Sequence, residues 1–281
     1  MDAVLLINKP MNMTSFDICA KVRKQFHEKA VGHTGTLDPN ATGLMIVLMG
    51  KYTKYLPYCQ HHQKEYVATL LLGKKTTTGD IWGEIKEEKE VPCINETLVK
   101  EVLNSFLGAS SQIPPMVSSI KVEGKRLYEL AREGKEVERK ARDIFIDEIE
   151  LVGIKDNQIS FRAVVSEGTY IRTLCEDIAA KLNTVGTMAS LNRTKVAHVN
   201  LENAQSLEEL REHPKIHLIE EVLDKSIPIV EIQSYEEVKN GRKIRINSLA
   251  PLGICSHQGE ILAAYERTGD DYWYRCKRGL W

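Results

Sequence analysis

The sequence predicts a mixed α+β body followed by a small β-rich domain, and three observations predict it. Residues 65–72 and 159–165 alternate apolar with polar side chains, the period of half-buried strands. Residues 95–107 bring Leu98, Val99, Val102, Leu103 and Phe106 onto one face, and 171–182 do the same with Ile171, Leu174, Ile178 and Leu182; both are amphipathic helices. Beyond residue 225 the texture changes to short apolar runs punctuated by Gly241, Gly253, Gly259 and Gly269. At 281 residues the chain has room for a large domain over 1–225 and a second over 226–281.

In order, the run 3–7 is a short apolar strand that Asn8-Lys9-Pro10 ends, leaving a cation at its tip. Thr14 or Ser15 caps a helix through Phe26, with Ile18, Val22 and Phe26 on one face. Gly32-His33-Thr34-Gly35-Thr36-Leu37-Asp38-Pro39 then gathers two glycines, a histidine, two threonines and one carboxylate into a loop, before the continuous apolar run 44–49. Pro39 biases Asp38 toward extended backbone, so the loop displays one acid on a stiff chain. A polar turn before a buried strand is written in the same letters, and local chemistry leaves both readings open.

Further on, 76–80 is a polar loop, and 121–142 carries eight Lys and Arg residues diluted by five Glu, with Tyr128 among them. That segment reads as a phosphate-contacting arm or as an ordinary charged surface. Arg172 falls in the first turn of its helix, where the dipole disfavours a cation, and Leu191-Asn192-Arg193-Thr194-Lys195 is a second cationic stretch. A capping box at Ser206 and Glu209 opens a short helix, with a further helical stretch at 217–223. In the tail, Tyr272, Trp273 and Tyr274 stand beside Arg275, Lys277 and Arg278. An RNA-stacking surface and a barrel core with a charged rim give the same pattern.

Several function classes are excluded or unsupported. There is no Gly-x-Gly-x-x-Gly, His-Glu-x-x-His or Gly-x-Ser-x-Gly. His61 and His62 are adjacent, which suits surface histidines better than a shared metal. The six cysteines form no Cys-x-x-Cys pair, so neither zinc nor a disulfide framework is expected and the compartment reads as reducing. No run is long enough to cross a bilayer and no signal peptide is visible; the expected location is the cytoplasm, with no membrane. The net charge of −1 means that any nucleic-acid surface comes from local clustering. What remains is side-chain acid, base or nucleophile chemistry without metal or dinucleotide.

A set of segments in order carries a resemblance. They are Asn8-Lys9-Pro10 with Thr14-Ser15, the 32–39 loop with Ala41-Thr42-Gly43, Thr53-Lys54, Lys64-Glu65-Tyr66, Thr78-Gly79-Asp80, Pro114-Pro115 with Lys121 and Gly124-Lys125-Arg126, Gly168-Thr169-Tyr170-Ile171-Arg172, and Leu191 with Arg193-Thr194. In these the chain resembles the TruB family of tRNA pseudouridine synthases over nearly its whole length. The resemblance implies a pseudouridine-synthase-type, antiparallel-rich sheet flanked by helices, a C-terminal PUA-like RNA-binding domain, and isomerisation of the T-loop uridine at position 55 of tRNA. It implies Asp38 as the catalytic aspartate, Tyr66 stacked on the target uracil and able to act as a base, and Arg172 paired with Asp38. It further implies His33 as the residue that extracts the uridine, with Tyr170, Leu191 and Lys9 lining the pocket. No cofactor, metal or protein partner is implied; the partner is the tRNA T-stem-loop and the protein a monomer. Asn8, Tyr52, Val117 and Ala197 depart from the family's usual letters, at loop and pocket edges. Two rival readings are a guide-RNA-dependent relative acting on ribosomal RNA, disfavoured by the lack of long basic tails, and a tRNA-holding module.

Overall fold

The computed structural model describes all residues except 60–62, 119, 123, 136 and 270; His61 and His62 therefore lie outside the described residues, as do the side chains of Lys121, Arg126, Tyr128 and Arg132 in the cationic segment. The strands of the first half are β1 (Ala3–Lys9), β2 (Val31–His33), β3 (Thr42–Met49), β4 (Lys64–Leu72), β5 (Lys74–Thr76), β6 (Ile85–Glu88), β7 (Gly108–Gln112), β8 (Lys121–Val122) and β9 (Lys125–Arg126). Those that follow are β10 (Arg142–Lys155), β11 (Gln158–Val165), β12 (Gly186–Val196), β13 (Val199–Asn200), β14 (Ile229–Glu231), β15 (Ile244–Arg245), β16 (Leu252–His257), β17 (Glu260–Arg267) and β18 (Trp273–Gly279). The helices are α1 (Ser15–Phe26), α2 (Glu96–Asn104), α3 (Leu127–Arg132), α4 (Ile171–Lys181), α5 (Leu207–Glu212) and α6 (Tyr235–Lys239).

The main sheet runs β1-β3-β12-β4-β11-β10-β7, with β2 on β3 and β13 on β12. Every pairing along it is antiparallel except β3 with β12. One face of β4 and β11 buries Tyr66, Ala68, Leu70 and Leu72 with Ile159, Phe161, Ala163 and Val165 beneath α2 and α4. The alternation read from 65–72 and 159–165 is that face. On the opposite face Arg162 is ion-paired with Glu65, Glu148 and Glu150, and Thr194 Oγ1 donates to Glu65 at 2.7 Å. Polar groups thus tie four neighbouring strands on the side that lacks a core.

Strand β3 is apolar throughout because it is buried on both sides. Met45, Val47 and Met49 pack with Ile18, Cys19 and Val22 of α1. Leu44, Ile46 and Leu48 pack with Ile254, Ile261, Ala264 and Leu280 of the C-terminal region. A strand covered on two faces reads as a continuous run instead of an alternation. The C-terminal strands form their own sheet, β14-β16-β17-β18-β15, with Cys255, Leu262, Ala263, Tyr265 and Tyr274 in a separate core. Among the described residues no helix is long and apolar enough to cross a membrane.

Three local expectations differ from the structure. β1 does not stop at Ile7; it pairs through Lys9↔Gly43, and the lysine is buried. The helix at 95–107 is shorter, ending at Asn104; beyond it Phe106 N and Leu107 N reach back only three residues, to Leu103 O (3.0 Å) and Asn104 O (3.2 Å), before Gly108 (φ +91°) opens β7. Residues 217–223 form only a single 3-10 turn over Ile219–Glu221, since His217 exchanges backbone hydrogen bonds with Val4 at the sheet edge (2.9 and 3.2 Å). The cationic stretch at 191–195 is the interior of β12.

Where β3 meets β12, Gly43 has φ +108° and a Cβ there would collide with the backbone of Arg193. Gly43→Ala should therefore destabilise the fold by about 2 kcal/mol or more, read as a lower denaturation midpoint in urea with the m-value unchanged.

Candidate active site

The 32–39 loop is held from below by buried side chains that bond its backbone. Ser15 Oγ accepts from Leu37 N at 2.9 Å and donates to Leu37 O at 3.1 Å. Lys9, 0% exposed, donates to the carbonyls of Pro10 (2.9 Å), Met13 (2.6 Å) and Pro39 (3.0 Å). Burial pulls its ammonium down to about 8, still protonated at neutral pH, and the three carbonyls meet its three donors. Arg193, 1% exposed, donates to Leu44 O (2.8 Å), Gly35 O (3.1 Å) and Thr36 O (3.5 Å). Both cations sit under the loop and clamp it.

Asp38 emerges from this base with its side chain 35% exposed, while the Arg172 side chain is 5% exposed. Arg172 Nε lies 3.0 Å from Asp38 Oδ2, with a longer Nη2 contact to Oδ1 at 3.4 Å. The same guanidinium donates to Thr78 O through Nη1 (2.9 Å) and to Val117 O through Nη2 (2.7 Å). One planar fork therefore joins the Asp38 loop, the 78–80 turn and the 114–118 segment to the start of α4. The position is unfavourable to a cation by the helix dipole; a carboxylate and two carbonyls offset that cost.

Tyr66, 8% exposed, belongs to the cluster that contains Leu37, Ala41, Ile171 and Leu191, so the floor beside the Asp38 loop is apolar. Tyr170 caps α4 from outside the helix, its N–H donating to Gln112 Oε1 (2.8 Å) and its carbonyl accepting from Gln112 Nε2 (3.1 Å); burial pushes its phenol up. His33 lies on β2, and its Nδ1 is buried without a protein partner. Burial and the nearby Arg193 lower its pKa, which makes it a neutral imidazole at pH 7. Of the seven predicted residues, the structure pairs Asp38 with Arg172 and places Tyr66 and Leu191 in one apolar cluster. Lys9 lies beneath the loop backbone.

The electrostatics add residues that sequence reasoning did not single out. Burial drives the Asp38 carboxyl above its ordinary range; Arg172 and Lys9 pull it down, and the second carboxylate of Asp80 pushes it up. Asp80 is held in place by accepting from Thr78 Oγ1 (2.6 Å) and Trp82 N (3.2 Å). Lys64 is half-buried, 4.0 Å from the exposed Glu167, and burial lowers its pKa. Asp80, Lys64 and Arg193 all belong to the ordered segments that carry the resemblance, which was the available signal. Among the described residues no group of three or more His, Cys, Asp or Glu could hold a metal ion.

In comparisons with known proteins, residues 23–171 match the model of the TruB family pseudouridylate synthase N-terminal domain. Residues 172–231 match the tRNA pseudouridylate synthase B C-terminal domain. The tRNA pseudouridine synthase B of Oenococcus oeni is 41% identical over 295 residues, covering 99% of this chain and 98% of that protein. That of Phocaeicola vulgatus is 44% identical over 227 residues, covering 79% and 97%. Among solved structures, a Cbf5-Nop10-Gar1 complex superposes with a TM-score of 0.75 at 21% identity, over 99% of this chain and 85% of that one. At that identity the likeness is one of fold.

The opposed influences on Asp38 give a titration prediction. A raised native pKa means that the carboxyl takes up its proton at higher pH than the ~3.9 of free aspartate. Carboxyl-carbon NMR should find Asp38 above that value. Asp80→Asn, which removes a like charge and keeps the acceptor oxygen, should lower it; an unmoved value in that variant would contradict the electrostatic reading.

Proposed function

Because the chain belongs to the TruB family of tRNA pseudouridine synthases, which are isomerases, we propose that it converts the uridine at position 55 of the tRNA T-loop to pseudouridine with Asp38 as the catalytic carboxylate. The observation that carries this reading is the Asp38–Arg172 pair at 3.0 Å, with the arginine buried and the aspartate open to one side. A buried fork aimed at a partly exposed carboxylate keeps that oxygen pair oriented before substrate arrives.

The reaction breaks the N1–C1′ bond of uridine, turns the base, and forms a C5–C1′ bond; the C5 proton is lost and N1 gains one. Atoms and electrons balance within the nucleoside, so no co-substrate is consumed and no cofactor is called for. Asp38 acts at the ribose, as nucleophile at C1′ or as base, and both routes need it ionised. Tyr66, on the apolar floor, supplies a ring for the uracil to stack on and a phenol within the same site to take the C5 proton. Leu191 and Tyr170 shape the remaining walls. A base in a folded T-loop is out of reach until it is flipped; the neutral His33 imidazole, at the edge of the loop, is assigned to filling or steadying the space it leaves.

The tRNA body is assigned to two surfaces, with the protein acting as a monomer. One is the cationic segment around Lys125. The other is the 226–281 domain, which we assign as PUA-like. There Tyr272 and Trp273 are exposed whereas Tyr274 is buried. Arg275 and Lys277 are ion-paired with Glu266, which leaves the two exposed rings as the better candidates for RNA contact.

Asp38→Asn keeps the size of the side chain and removes its charge. It should bind tRNA with little change in Kd and form no pseudouridine, measured by pseudouridine-specific chemical mapping of treated tRNA. Retained activity would overturn the assignment of Asp38.

A further inference from the structure

The turn at 79–83, next to the Asp38 site, carries an indole that the reaction as derived does not use. Trp82 is 46% exposed and Ile81 beside it 43%. The turn that bears them is rigid. Ile81 N donates to Met188 O (3.0 Å), Met188 N to Gly79 O (3.0 Å), Trp82 N to Asp80 Oδ1 (3.2 Å) and Gly83 N to Asp80 O (3.2 Å). A Cβ at Gly83 would collide with Thr78 Oγ1, so the chain folds back on itself there with no slack. Thr78, whose carbonyl Arg172 holds together with Asp38, is four residues away, at most about 14 Å of chain. Ile113 is exposed as well, next in sequence to Gln112, which grips Tyr170.

A large ring fixed on a stiff turn and only about half covered by protein keeps a face that an arriving substrate can cover. The occupant follows from continuity with the Asp38 site. A uridine pulled from a folded loop leaves its neighbours without stacking partners, and indole is a rigid face on which any base stacks. We propose that Trp82 stacks on the base of the nucleotide adjacent to the target uridine in the tRNA loop. The ring thereby holds the strand open while the target lies against Asp38. This rests on the T-loop reading above.

The test uses the full chain and a T-stem-loop RNA, in three versions: intact, and abasic on either side of the target uridine. Trp82→Ala should raise KM on the intact RNA by about 5- to 150-fold, with an unchanged melting temperature. Trp82→Phe, which keeps a stacking face, should recover most of that loss. On one of the two abasic RNAs the parent and Trp82→Ala should become equal, because the stacked base is gone. A parent-like KM in Trp82→Ala, or a penalty that persists on both abasic RNAs, would overturn the proposal while leaving the T-loop assignment standing. If the parent forms no pseudouridine in the intact stem-loop yet modifies full tRNA elsewhere, the T-loop assignment fails and this proposal with it.

Discussion

The guanidinium of Arg172 is the constraint on which the site depends. A buried cation must find acceptors or destabilise the fold, and removing one partner of a buried ion pair costs about 3–5 kcal/mol. Arg172 meets that demand with one carboxylate and two backbone carbonyls from three separate segments. The fold cannot bury this side chain without bringing the Asp38 loop, the 78–80 turn and the 114–118 segment together. Lys9 and Arg193 repeat the logic one layer down, where their donors end on carbonyls of the Asp38 loop and its flanks. Three buried cations thus convert a glycine-containing loop into a fixed one.

The sheet supplies the platform for that arrangement. Strand β3 leaves the loop and is covered on one face by α1 and on the other by the C-terminal region, so the loop's exit is fixed by two cores. Its parallel pairing with β12 at Thr42↔Asn192 and Gly43↔Arg193 places Arg193 under the loop, and β12 in turn pairs with β4, which presents Tyr66. Carboxylate, aromatic floor and clamp therefore come from neighbouring strands of one sheet and the helix laid across it.

Much of the scaffold was legible in the sequence, and the reasons are local. Residues 65–72 and 159–165 alternate because one face is buried, and 44–49 is continuous because two are. The capping box expected at Ser206 is present, and α1 begins one residue after Thr14 and ends at Phe26. What local reasoning misread is charge. Lys9 looked like a cation at a strand tip and Arg172 like a cation in a poor place at a helix start, while 191–195 read only as a cationic stretch. Lys9, Arg172 and Arg193 are all buried; beyond the Asp38 carboxylate their acceptors are backbone carbonyls, most of them distant in sequence, which no residue letter encodes. The 217–223 segment failed as a helix for a related reason: its backbone bonds were claimed by Val4, far away in the chain. The resemblance supplied the long-range pairing that periodicity lacks.

We propose that Arg172 makes Asp38 reactive by orienting it, beyond merely balancing its charge. Arg172→Lys separates the two, since lysine keeps the charge and loses the fork that reaches two carbonyls and the carboxylate at once. The measurement is the single-turnover rate of pseudouridine formation at saturating enzyme, alongside tRNA affinity. The rate should fall by ~100-fold or more with affinity close to the parent's. A parent-like rate in Arg172→Lys would contradict it.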